Sequence, residues 1–202
     1  MSETSTRRRG RPRSERARRA VLDAVLALAA ERDANTITMD AIARRAGVSK
    51  DTLYRWWRSR TEVVLEALAE RGEETIAVPD LGSLEADLTA FLRATVASAT
   101  PTTQRLLRSI ASEAARDGDA ATVVRERFVE SRRRALRAVL ARAAERGELD
   151  GARIELLIDL VYGSLWYRVV FAVAPLDDAW ADGIVRLLAS ARAPAEIGGT
   201  GA

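Results

Sequence analysis

The chain has 202 residues without a single His or Cys, and its 32 Lys and Arg against 29 Asp and Glu leave a formal charge of +3. That length fits one or two domains. The missing imidazoles and thiols remove the usual general base, the thiol nucleophile and the ordinary zinc and redox centres.

The modest total charge hides an asymmetry. Residues 1–60 carry 15 Lys and Arg against 7 Asp and Glu, whereas residues 61–202 carry 17 against 22. A basic N-terminal third on an acidic body suits binding to a polyanion through one end. Within it, Thr6-Arg7-Arg8-Arg9-Gly10-Arg11-Pro12-Arg13 has no apolar residue to anchor it, so residues 1–13 are expected to be a disordered basic arm. Arg9-Gly10-Arg11-Pro12 resembles the core of an AT-hook, in which Gly10 would admit the backbone to a narrow minor groove and Arg9 and Arg11 would meet its negative potential. A solvated tail contacting phosphates is the alternative.

Val21, Leu22, Val25, Leu28 and Ala29 recur at helical spacing and predict a first helix. Thr38 can then cap a second helix, with Asp40 in its first turn and Met39, Ile42, Ala43 and Ala46 on its apolar face. Gly47 can take the left-handed conformation that stops this helix, and Ser49 can cap the next, giving a helix-turn-helix. Packing Ile42, Val48, Leu53 and Trp57 inward leaves Ser49, Lys50, Thr52, Tyr54, Arg55 and Trp56 on the outer side of the second helix of the pair. From there they can reach bases and phosphates.

Residues 14 to about 72 resemble the DNA-binding domain of the TetR family of bacterial transcriptional regulators. The resemblance rests on the first helix, Thr36-Ile37-Thr38-Met39-Asp40-Ala41-Ile42-Ala43, Gly47-Val48-Ser49-Lys50, Leu53-Tyr54 and a fourth helix after Ser59-Arg60, all in the family's order and spacing. It implies that Thr38, Tyr54 and Arg60 touch the phosphate backbone, and that Ser49, Lys50, Thr52 and Arg55 stand at or near the bases. The chain departs from the family's usual residues at Asp51, at Trp56-Trp57 and at Arg60, so the operator sequence is not readable.

Ser59-Arg60-Thr61-Glu62 forms a capping-box pattern for the fourth helix, which is expected to run toward Ile76 before a break at residues 77–82. The DNA-binding unit with its connecting helix is thus placed at 14–76. Residues 83–192 read as a second domain of helices: one capped by Ser83, one opening at Thr100-Pro101, and a long one from Gly118-Asp119 to Gly147. Within the long helix, Arg132-Arg133-Arg134 reads as a solvated, salt-bridged face among Glu126, Glu130 and Glu145. The whole chain is therefore expected to be all-α, a three-helix helix-turn-helix domain plus a larger helical bundle, about nine helices in all. Residues 193–202 are expected to be a disordered tail.

Residues 154–174 are apolar around almost the whole helix circumference, which predicts burial on nearly all sides. Glu155, Asp159 and Arg168 argue against a membrane span, and the polar N-terminus does not read as a signal sequence, so a cytoplasmic protein is expected. A domain of this size has limited interior, so a homodimer is expected, with Leu165, Val169, Trp180, Ile184 and Leu188 at its interface. The last two helices are also similar to those of TetR-family C-terminal domains. That similarity implies a small-molecule pocket, for which Phe91, Thr95, Leu107, Ile110, Phe128, Tyr162 and Trp166 are the candidate walls and Arg105, Arg108 or Arg168 the candidate holders of an anionic group.

These readings converge on a dimeric regulator that binds an inverted-repeat site in double-stranded DNA. The resemblance implies a repressor released by a small apolar effector, and the missing His and Cys leave no cofactor and no metal expected. Two alternatives stay open: an architectural protein for A·T-rich DNA, which would show only salt-sensitive general affinity, and a helical small-molecule carrier or enzyme, which would act without DNA.

Overall fold

The computed structural model describes residues 11–73 and 78–190. α1 (Arg11–Glu31) buries Val21, Leu22, Val25, Leu28 and Ala29, the spacing that predicted it. It opens at Arg11, so the last three residues of the expected arm are helical. Pro12 is no obstacle, since a first-turn proline gives up an N–H that has no partner inside the helix. Arg9 and the rest of the arm lie outside the described residues, as do Ile76 and the tail.

After a 3-10 turn at Ala34–Thr36 come α2 (Met39–Ala46) and α3 (Lys50–Trp56). Thr38 accepts a hydrogen bond from the Ala41 N–H and Ser49 from the Thr52 N–H, each satisfying a donor that has no partner inside its helix. Between them Gly47 stands at φ 67°, ψ 31°, where a side chain would be strained. Ile42, Leu53 and Trp57 are buried together with Val64 and Leu68 of α4 (Arg60–Glu73). At the start of α4, Ser59 accepts from the Glu62 N–H, while the Glu62 carboxylate reaches back to the Arg58 N–H rather than to Ser59 itself.

Gly82, at φ 87°, sits in the predicted break and precedes α5 (Leu84–Ser98), which Ser83 caps. α6 (Pro101–Ala114) follows, capped by Thr100 with Pro101 in its first turn. α7 (Gly118–Val124), a π-helical turn (Arg125–Val129) and α8 (Glu130–Glu145) run on as one rod, ended by Gly147 at φ 75°. A 3-10 turn at Gly151–Arg153 leads into α9 (Ile154–Phe171), and α10 (Asp178–Ser190) closes the described chain. Counting that rod once, the ten α segments make nine helices among the described residues, and no strand occurs among them. None of these helices is long and apolar enough to cross a membrane.

α5 packs on α8 and α10, and α6 on α9, around Leu88, Leu92, Leu106, Ile110, Leu136, Ile158 and Trp180. α4 lies against α1, α6 and α7, so the helix that follows α3 also forms a wall of the second bundle. α9 stops three residues earlier than expected, at Phe171, with Ala172 in the left-handed region at φ 52°.

Candidate functional site

The first part of the site is the outer side of α3. Trp57 is fully buried, and its indole Nε1–H donates to Glu66 Oε2 at 2.6 Å, while Arg18 Nε donates to Glu66 Oε1 at 2.6 Å. One carboxylate of α4 thus holds both α1 and the end of α3, fixing the angle at which α3 is presented. Ser49, Lys50, Tyr54 and Arg55 are exposed and Thr52 half-buried. Lys50 Nζ pairs with Asp40 Oδ2 at 2.5 Å. Both side chains are solvated, so the pair is worth about 1 kcal/mol or less and a phosphate or base can displace it. Trp56 packs edge-on to Trp57 at 5.4 Å and carries the Arg55 guanidinium 5.9 Å above its ring, which makes it a support for Arg55 as well as a surface aromatic.

Arg60 is elsewhere. Its guanidinium donates to the Ala34 carbonyl at 2.9 Å, to Ser109 Oγ at 2.9 Å and to Glu113 Oε2 at 2.5 Å. Arg60 thereby forms a joint between the two domains, because a carboxylate on α6 lies within reach of the first turn of α4. No local pattern in the sequence pointed to Glu113, which is 53 residues away.

The second part is a cavity of about 380 Å³ among α5, α6, α8 and α9. Five expected wall residues line it: Thr95, Leu107, Phe128, Tyr162 and Trp166. Phe91 and Ile110 do not; both are fully buried in the core, since the sequence marks their helix face but not the gap within it. Phe128 and Trp166 meet edge to face, with ring centroids 6.5 Å apart. None of the three expected anion holders lines the cavity: Arg105 reaches Thr102, Arg108 donates to the Val169 carbonyl and Arg168 to the Pro175 carbonyl.

The cavity is lined instead by Arg132, Arg133 and Asp159, which the sequence reading missed as site residues. Arg132 was traceable, since it stands four residues after Phe128 and so shares its helix face; its guanidinium lies 5.4 Å over that ring. Arg133 is ion-paired as expected, but to Asp159 at 2.5 Å and Glu155 at 3.0 Å on α9, not to the acids of its own helix. Arg137 joins them, bonding Glu155 through Nε at 2.6 Å. Its hydrogen bond leads in holding the Glu155 carboxyl down at about 2, with Arg133 adding to it.

The third part is the outer face of α9. Leu165, Val169, Trp180 and Leu188 are buried within their own subunit and Ile184 is half-buried, so four of the five expected interface residues are core. The all-round apolar pattern could not say which side faced inward. Leu156, Leu160, Tyr167 and Val170 are exposed in a stripe that passes over Gly163, and Leu187 of α10 is exposed too.

A capped helix-turn-helix braced by a helix that also packs on a bundle enclosing a ligand-sized cavity defines a DNA-binding protein of the regulator class. The comparisons make this specific. Residues 21–67 match the family described as bacterial regulatory proteins, tetR family, and residues 78–188 match the tetracyclin repressor-like C-terminal domain. The chain is similar to the uncharacterized HTH-type transcriptional regulator YdeS of Bacillus subtilis (strain 168), at 30% identity over 88% of this chain and 90% of that one. It also resembles the crystal structure of the TetR family transcription regulator SCO0332, with a TM-score of 0.72 and 33% identity over 88% of this chain and 99% of that one. The flavonoid-responsive regulator FrrA is similar at a TM-score of 0.59 and 25% identity, over 87% and 94% of the two chains. The chain belongs to the TetR family and is a DNA-binding transcriptional regulator.

Proposed function

We propose that the protein is a homodimeric repressor that occupies an inverted-repeat operator through two copies of α3 and leaves it when a small apolar molecule fills the α5–α9 cavity. It would do so in the cytoplasm, where the DNA is. The observation that carries this reading is the position of α4. Its first turn is bonded to α6 through Arg60 and Glu113, and Glu62 is paired with Arg127 at 3.3 Å, next to the cavity residue Phe128. A ligand that moves Phe128 therefore acts next to the start of the helix that backs α3.

The dimer is supported by the exposed stripe on α9. Leu156, Leu160, Gly163, Tyr167 and Val170 repeat every three or four residues, so they form one seam along the helix, and Gly163 lets a partner helix come close. A two-fold seam of this kind would present two recognition helices to one face of the duplex. The name of FrrA supports a small-molecule signal, since it describes that regulator as flavonoid-responsive.

The test is selection of bound duplexes from a random pool at near-physiological salt. An enriched inverted repeat is the expected result. A featureless or merely A·T-rich pool would favour an architectural role, and an absence of binding would remove the DNA-directed reading altogether.

A further inference from the structure

We infer that the cavity selects a neutral, flat, apolar molecule carrying hydroxyl or N–H donors, and rejects anions; this rests on the cavity being the effector site. A hydroxyl has one proton to give. Thr95 Oγ1 donates its proton to the Phe91 carbonyl at 2.9 Å, Ser98 Oγ to the Thr95 carbonyl at 2.8 Å and Tyr162 Oη to the Arg132 carbonyl at 2.8 Å. All three residues line the cavity, and all three protons are committed to backbone. What these oxygens retain for a ligand is lone pairs. Burial pushes the Tyr162 phenol up from its ordinary value, so it stays neutral and keeps that bond.

The cationic groups do not reverse this preference. Arg133 is held by Asp159 and Glu155, so an incoming anion would meet two carboxylates around the guanidinium. Arg132 spreads its guanidinium over Phe128 and against Gly72 of α4, where an added Cβ would fall 1.7 Å from its Nη2. Leu107, Phe128 and Trp166 supply apolar and aromatic wall. A ligand that places a donor on Thr95 or Tyr162 and a ring against Trp166 uses the cavity's acceptors and its surface together. A carboxylate in the same place would set its lone pairs against theirs.

Three rods of similar length separate the possibilities: 4,4′-dihydroxybiphenyl, 4,4′-dimethoxybiphenyl and biphenyl-4,4′-dicarboxylate, titrated calorimetrically into the full chain. The diol is expected to bind about tenfold tighter than the dimethoxy compound for one well-made donor–acceptor pair, with the dicarboxylate weakest. Thr95→Val and Tyr162→Phe should each bring the diol toward the dimethoxy compound while leaving the latter's affinity in place, whereas a purely structural defect would weaken both. Equal binding of diol and dimethoxy compound, preference for the dicarboxylate, or no binding by any rod would overturn the proposed ligand class. The effector-site reading is tested separately with Trp166→Ala. Loss of rod binding in that variant keeps the cavity as the site whichever rod is preferred; rod binding that Trp166→Ala leaves unchanged removes both readings.

Discussion

Arg60 Nη2 and Glu113 Oε2 stand 2.5 Å apart and join the first turn of α4 to the last turn of α6. Both side chains are largely shielded, at 15% and 28% exposure, and Ser109 Oγ and the Ala34 carbonyl accept two further hydrogen bonds from the guanidinium. Arg60 is thus a bolt between domains.

Arg60→Gln is accordingly expected to cost about 2 kcal/mol of stability, the worth of a shielded hydrogen bond to a charged group. Denaturant unfolding measures it. The dependence of operator affinity on salt should stay unchanged; a log–log slope shallower by about 1 would return Arg60 to the phosphates.

On α3, Tyr54→Ala should weaken binding to specific and random duplexes alike, as loss of a backbone contact does. Lys50→Ala should change the ranking among sites, by about 1–3 kcal/mol at the base it reads. Competition titrations with single-base operator variants distinguish the two. Equal loss on all sequences for Lys50→Ala would reassign that side chain to phosphate.

Leu160→Arg and Leu187→Arg place a charge on the exposed apolar face and should yield folded monomers with greatly weakened operator binding. Sedimentation velocity and circular dichroism read both properties. Leu165→Arg, buried within its own subunit, should unfold the protein instead.

Glu155 gives a pH-dependent prediction. Its carboxyl, held at about 2 against an ordinary 4.5, is bound more tightly as the anion in the folded chain, so it stabilises above about 4.5 and that contribution is lost as the pH falls toward 2. Glu155→Gln should lower the unfolding temperature near pH 7 and make little difference near pH 2. The group is solvated, so high salt should shrink the effect.

The DNA-binding half was legible because its signals are local. Thr38, Gly47 and Ser49 each act within four residues of themselves, and caps of that kind survive any tertiary context. The second half was legible as helices and not as surfaces. A helix apolar all round, such as α9, carries no moment to say that Leu165 and Val169 turn inward while Leu160 and Tyr167 turn out. Phe91 and Thr95, one turn apart on α5, divide between core and cavity for a reason that lies in the helices opposite. The bolt at Arg60 was hidden for the same cause, since its partner belongs to another helix.

The π-helical turn at Arg125–Val129 places two assignments in five consecutive residues. Arg127 grips Glu62 on α4, and Phe128 faces the cavity. A π turn holds one residue more than an α turn, so a deletion that closes it to an α turn would displace Arg127 and Phe128 together while the flanking helical segments stay in register. In descendants of this chain, a change of taste for the signal molecule and a change in the strength of its effect on transcription would therefore be inherited together rather than drift apart.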